Sequence, residues 1–316
     1  MKRQTGAALL AAMLTVTLVA TMAAAALWQQ WRSVEVEAAE RSRVQSAWIL
    51  TGALDWARLI LREDARTGGA DHLAEPWALP LQEARLSTFL ATDASAGDTD
   101  RDAFLSGQIS DLQARMNVMN LIDGDKLSEP ALVAFGKLFS QLGLPAQQVN
   151  SLASQLLIAQ RGAGADNASN PRVPLMPQRV EQLVWLDLPA RTVAVLKPYI
   201  TLLPGRTPVN LNTASAEVIY ASVPGLDLAD ARRLATLRES AHFASLADAR
   251  LPGAVTAPGA IGQVAVASRF FEVRGRLRLD QVVIEELSVV QRDGLDVRTL
   301  RRERGMAAQA PAGPRG

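Results

Sequence analysis

The chain has 316 residues, enough for one large domain or two modest ones, and its 33 Lys+Arg against 32 Asp+Glu leave a net charge of +1, which argues against a protein whose main task is to grip nucleic acid. It has no cysteine, which excludes thiol nucleophiles, Cys-ligated zinc, iron–sulfur clusters and disulfides. Its two histidines, His72 and His242, lie far apart in sequence and supply a His-based metal site or a Ser–His triad poorly.

At the N-terminus Lys2 and Arg3 precede a stretch from Gln4 to Trp31 without a charged residue. Its apolar core, Ala7 to Trp28, is about 22 residues or roughly 33 Å as a helix, enough to cross a hydrocarbon layer of about 30 Å. The two cations keep the N-terminus cytoplasmic and send the rest of the chain across the membrane, with Trp28 and Trp31 at the interface. The alternative is a secretory signal cleaved near Ala24–Ala26. Against it, the apolar stretch is long and runs without Pro or Gly into a further helical pattern. Val34, Ala38, Val44, Trp48, Gly52, Trp56, Leu59 and Ile60 recur at three-to-four-residue spacing. The spacing predicts one helix over 7–66, with 7–28 in the membrane and Gly68–Gly69 ending it.

Asp71–Pro80 reads as a Pro-bounded loop around Trp77, followed by strands at Arg85–Ala91 and Phe104–Gln113. Between them Thr92–Asp102 is a polar loop. Residues 67–122 thus form the first part of an α+β domain. From 123 to 253 the pattern is helical. Ser128 and Pro130 start one helix that Gly143 ends, Pro145 starts the next, and Gly162–Pro177 is loop-like. Val180–Leu186 and Ala190–Tyr199 continue the helical block, and Leu202–Pro208 turns. Val209–Glu239 resembles a helix-hairpin-helix unit, with Asn210 as a turn residue, Asn212 or Thr213 capping a helix over Ala214–Ser222, Pro224–Gly225 as the hairpin and Leu228–Arg238 as the second helix. In versions that bind nucleic acid the hairpin N–H groups hold a phosphate. Here Asp227 and Asp230 follow the hairpin and oppose one, so a structural hairpin is the expectation. Residues 254–304 return to strands, at Gln263–Ala267, Arg269–Leu279 and Gln281–Gln291, read as a meander, and 305–316 reads as a disordered tail. The predicted fold class is α+β, a long helix packed on an antiparallel sheet that carries a large all-α insertion.

The sequence has no G-x-S-x-G, no H-E-x-x-H and no phosphate-binding Gly-rich loop, and no enzyme activity is expected. Asp98, Asp100 and Asp102 have D-x-D-x-D spacing but lack the Gly and later Glu of an EF-hand, which leaves a solvated acidic loop as the plain reading.

The basic leader ending in Gly6, before an apolar helix that runs on into the soluble domain, resembles the type IV pilin leader. That resemblance implies prepilin peptidase cleavage between Gly6 and Ala7, methylation of Ala7, and a pilin-like fold in which residues 1–6 are removed and the helix is kept. Pilin-like subunits usually carry Glu as the fifth mature residue, where this chain has Ala11. A carboxylate inside a bilayer needs a partner, and a subunit with nothing above it has less need of one. The leader KRQTGAALLAAML, WILTGALDWAR, EPWALP, ISDLQARMNVMNL, VNLNTASAEVIYASVPGL and SRFFEVRGRLRL, in that order, resemble the minor pseudopilin K family of type II secretion. The family often has an aromatic at the position of Met116 and Asn near Met119.

The resemblance implies a structural role at the tip of a periplasmic pseudopilus anchored in the bacterial inner membrane, where the protein starts assembly, caps the filament and limits its length. Implied partners are two other minor pseudopilins, of the I and J types, the prepilin peptidase and the inner-membrane assembly platform, with no nucleic acid. Calcium in the exported domain is also implied. Asp98, Asp100 and Asp102 are one oxygen-donor set, and Asp111, Asn117, Asn120, Asp123 and Asp125 are another, with no choice made between them. The competing readings are an envelope helix-hairpin-helix protein of competence type that binds nucleic acid, and a periplasmic enzyme with an uncleaved anchor.

Overall fold

A computed structural model of the chain describes residues 5–86, 103–162, 173–251, 263–279 and 282–306. It divides into two units, Met1–Ala53 and Leu54–Gly316, taken separately below.

The first unit is helix. Helix α1 (Thr5–Thr67) runs through it and on into the second unit. No Gly or Pro lies between Ala7 and Thr51 to break it. Its first half is long and apolar enough to cross a membrane, and Leu9, Leu14, Leu18, Met22 and Leu27 are all exposed. Thr15, Thr17 and Thr21 return their hydroxyls to carbonyls three residues earlier at 2.8–2.9 Å, so no hydroxyl of theirs would face lipid unpaired. Trp28 and Trp31 lie together, ring centroids 5.7 Å apart.

In the second unit α1 ends as predicted. Gly68 donates to the Asp64 carbonyl at 3.3 Å, and Gly68 and Gly69 take φ of +65° and +117°, a conformation open mainly to glycine. A single turn at Pro76–Ala78 follows, and then strands β1 (Leu81–Arg85) and β2 (Ala103–Asp111). The first strand therefore lies earlier than Arg85–Ala91, most of which falls outside the described residues. The second stops at Asp111 because that side chain caps a short 3₁₀ turn, Leu112–Ala114, by accepting from Gln113 N at 2.7 Å.

After that turn come β3 (Met116–Asn117), β4 (Ile122–Asp123), β5 (Lys126–Leu127), α2 (Glu129–Gln141), α3 (Gln147–Gly162), a 3₁₀ stretch at Val180–Leu186, α4 (Ala190–Leu196), β6 (Ile200–Thr201), β7 (Val209–Asn210), α5 (Ala216–Ser222), α6 (Leu228–Ser240) and β8 (Val264–Ala265). Then β9 (Phe270–Leu279), β10 (Val282–Asp293) and β11 (Asp296–Met306) complete the fold. The main sheet is antiparallel with strand order β1-β2-β9-β10-β11. Chain order and sheet order part once, between β2 and β9. Everything from Leu112 to Arg269 is therefore an insertion, longer at both ends than the expected 123–253. Two parallel pairs, β3 with β6 and β7 with β8, belong to the insertion. For this reason Gln263–Ala267 is no part of the meander. The last strand runs to Met306, so residues 305–306 are not tail.

One face of the sheet takes the end of α1. Leu54, Ala57 and Leu61 pack with Trp77 on Ile109, Phe271, Val273, Val290 and Val297. The expected face, Trp56 and Leu59, is instead 48% and 40% exposed. Apolar residues cover most of the circumference of this part of the helix, leaving one side to Asp55, Arg58 and Arg62, so spacing alone could not choose the buried side. Trp77 is fully buried and meets Phe271 edge-on, centroids 5.2 Å apart. On the opposite face Leu112 and Leu203 of the insertion pack on Phe270 and Val289. The insertion has its own core, in which Phe135, Leu138 and Phe139 of α2 meet Leu152 and Leu156 of α3 and Val218 and Ile219 of α5.

Candidate functional site

Three places stand out: the neck where the insertion leaves and rejoins the sheet, the helical hairpin, and the N-terminal end of α1.

The neck is built on two crossings, Asp111 at the exit of β2 and Ser268 just before β9. Asp111 is buried, and one oxygen, Oδ2, accepts from Thr213 Oγ1 at 2.6 Å, Ser268 Oγ at 2.6 Å and Asn210 Nδ2 at 3.1 Å. Asp71, on the loop that follows α1, accepts from Ser268 N at 2.6 Å and pairs with Arg292 of β10 at 2.5 Å. Arg292 also donates to Asp64 of α1 at 2.6 Å and to the Ser268 carbonyl at 2.9 Å. Gln113 completes the joint, donating to the Pro208 carbonyl and accepting from Arg269 N. These contacts tie the end of α1, the sheet and the insertion into one polar network.

Burial pushes the Asp111 carboxyl above its ordinary range, although its hydroxyl and amide donors pull the other way. Asp64 is also raised, by burial and by the neighbouring Glu75. Burial opposes the charge on Arg292, but Asp71 and Asp64 outweigh it and hold the guanidinium above its usual value. Asp64, Asp71 and Glu75 could together hold a cation, their oxygens lying within 4.8 Å of one another. The guanidinium of Arg292 supplies positive charge to the first two, and Glu75 accepts from His72 N and Trp77 Nε1.

Among the described residues the expected calcium donors are engaged with other protein groups or stand exposed. Asn117 accepts from Met119 N and Leu203 N and donates to the Gly205 carbonyl. Asn120 exchanges two hydrogen bonds with the Thr207 backbone. Asp111 is committed to the neck. Asp123 is exposed and pairs with Arg206, and Asp125 is also exposed. Asp111, Asn117 and Asn120 do not fit a calcium site here, since their oxygens already face donors. Asp98, Asp100 and Asp102 lie outside the described residues.

The hairpin forms where expected, but with a different cap. Ser215 accepts from Val218 N and starts α5, while Asp227 accepts from Asp230 N and starts α6. Asn212 is occupied with Phe243, to whose backbone it both donates and accepts, and Thr213 belongs to the neck. Asn210 does turn the chain, accepting from Asn212 N, and reaches into the neck as well. Gly225, after Pro224, has φ of +75°. Lys137 of α2 donates to the carbonyls of Tyr220 and Val223 at 2.5 and 3.1 Å, closing the end of α5. Lys137 is thus spent on backbone oxygens, Arg233 of α6 pairs with Asp230, and a carboxylate caps that second helix.

In the first unit Gly6 lies within α1, and Ala7 and Ala11 are exposed on it. Of the neck, sequence reasoning missed Asp71, Ser268 and Arg292. The signal for them was faint: Asp71 and Arg292 are charged residues in a loop and a strand, and Ser268 and Arg292, the partners of Asp71, lie 197 and 221 residues away in sequence.

Residues 114–205 and 209–268 match two family models, both described as type II secretion system protein K. Both matches lie wholly inside the insertion. The chain is 26% identical to the type II secretion system protein K of Pseudomonas aeruginosa over 327 aligned residues, covering 96% of this chain and 93% of that protein. In fold it resembles the crystal structure of the GspK-GspI-GspJ complex from the enterotoxigenic Escherichia coli type 2 secretion system. The TM-score is 0.62 at 18% identity, covering 84% of this chain and 98% of that one.

Proposed function

We propose that this chain belongs with the type II secretion system protein K proteins it resembles, as a minor pseudopilin that works as a structural subunit at the tip of a pseudopilus, starting its assembly, capping it and limiting its length. One observation carries the reading: a single helix of 63 residues, apolar at its start and without a carboxylate at Ala11, ends on a sheet that carries an insertion from Leu112 to Arg269. The helix first anchors the chain as a single span in the inner membrane, with the main domain in the periplasm, and then becomes a filament spine. The insertion, rigidly tied at its neck, blocks the place of a further subunit above. Partners on this reading are two other minor pseudopilins of the I and J types, as in the complex of the similar Escherichia coli protein, together with the prepilin peptidase and the assembly platform. The role needs no catalytic residue of this chain. Against the competence-type alternative, the carboxylate of Asp227 caps the second helix of the hairpin, where a phosphate would meet its charge.

The test is mass spectrometry of the mature N-terminus. The expected chain begins at Ala7 with its amine methylated. A chain beginning after Ala24–Ala26 overturns the reading, because the spine would then be lost.

A further inference from the structure

The insertion contains a cavity of about 340 Å³. That volume falls in the range of small-ligand sites, about 300–1,000 Å³. Its apolar wall is made by Met116 of β3 and Ala131, Ala134 and Phe135 of α2. The two alanines stand one helical turn apart, and their small side chains leave the space that larger ones would fill.

Ser222, in the last turn of α5, also lines the cavity. It is 3% exposed, and its Oγ has no hydrogen-bond partner. Buried hydroxyls are rarely left so, because the unpaired group carries the full cost of its lost hydration. The other polar residues are not equally open. Asn120 and Thr207 satisfy one another. Arg206, in contrast, is half-exposed and holds the carboxylate of Asp123 at 2.8 Å, itself 66% exposed. Such a surface pair is weak, so another carboxylate can replace Asp123 at small cost.

We propose that this cavity is a binding pocket for a compact apolar group that bears a carboxylate. The apolar body sits on Phe135, Met116 and the two alanines, a polar atom of the ligand pairs with Ser222 Oγ, and the carboxylate takes Arg206. A free acylated amino acid and the C-terminal residue of a polypeptide share this chemistry.

The experiment uses the full-length protein in lipid nanodiscs and ligand-observed NMR. The probes are N-acetyl-leucine, N-acetyl-leucinamide, and a short peptide ending in leucine with a free or an amidated terminus. N-acetyl-leucine is expected to bind, with the amide at least tenfold weaker. Arg206→Gln is expected to erase that difference, and Ser222→Ala to weaken both probes. Ala134→Leu is expected to abolish binding. Ala131→Val, a smaller obstruction, serves if that variant fails to fold, with circular dichroism checking each fold. Competition by the free-terminus peptide assigns the pocket to chain ends; binding of N-acetyl-leucine without such competition assigns it to free acids. The proposal falls if the wild type binds neither acid, if acid and amide bind equally, or if a folded Ala134→Leu or Ala131→Val variant binds as the wild type does.

Discussion

Arg292 shows how one side chain can decide a joint. It is 10% exposed and faces two buried or nearly buried carboxylates, Asp71 at 3% and Asp64 at 11%. Removing it would leave both without their cation, and breaking such a pair costs about 3–5 kcal/mol. Arg292→Met is expected to lose that much in guanidinium unfolding followed by tryptophan fluorescence; a loss below about 1 kcal/mol would mean that water screens the pair. Asp111 gives a pH dependence. Its folded pKa is raised by burial, so the folded state binds its proton more tightly than the unfolded state does. The stability it contributes is complete below the ordinary value of 3.8 and is lost as pH rises through the raised folded value. Asp111→Asn has no such proton. Its stability relative to wild type should therefore increase as pH is raised from about 4 to 8, read as the denaturation midpoint of Asp111→Asn minus that of the wild type. A signed difference that falls or stays flat contradicts the assignment.

Among the elements, α1 and the hairpin make a useful contrast. The extent of α1 follows from local rules, an unbroken run of helix formers and a double glycine in left-handed backbone at its end. The hairpin is also local in outline, but its first cap is not. Asn212 and Thr213 are good capping residues that long-range partners claimed, Phe243 for one and Asp111 for the other, and Ser215 capped instead. The closure of α5 is likewise long-range, since it rests on Lys137 from α2, whose ammonium burial lowers its pKa. Lys137→Met keeps the aliphatic stem and removes the donor. The expected loss is about 1–3 kcal/mol, the range for a charge-assisted bond to partly buried carbonyls, and it should appear as faster hydrogen exchange of α5 amides. Unchanged exchange there would mean that the apolar packing of α5 holds it alone.

At the scale of the molecule the insertion is the distinctive part. It rises from one face of the sheet, has a core of its own, and is fixed at the neck by contacts from the helix end, the sheet and itself. Both family matches fall inside it. If the insertion acts through fixed position, the neck matters more than any surface residue. Full-length protein co-expressed with two smaller pseudopilins of the same system is expected to co-purify with them, and Arg292→Met is expected to weaken that co-purification in proportion to its loss of stability. A wild-type chain that stays monomeric beside those partners counts against the tip role.

The sequence by itself determined the apolar helix from Ala7, its continuation to the glycine pair, the α+β class, the existence of an inserted helical block and the hairpin at Pro224–Gly225. Each rests on neighbours in the chain: charge gaps, three-to-four-residue spacing, or residues that suit a turn. It did not determine where the insertion begins and ends. The short parallel pairs at Met116–Asn117 and Val264–Ala265 carry too few residues for a pattern, and their partners lie 84 and 55 residues away. Nor did it determine the buried side of α1, where apolar residues cover most of the circumference and only the sheet selects Leu54, Ala57 and Leu61. Tertiary structure also turned Asp111, Asn117 and Asn120 from candidate ion ligands into hydrogen-bond acceptors. Their oxygens are claimed by Ser268, Thr213, Leu203 and Thr207, from segments whose arrival beside them depends on how the whole insertion closes.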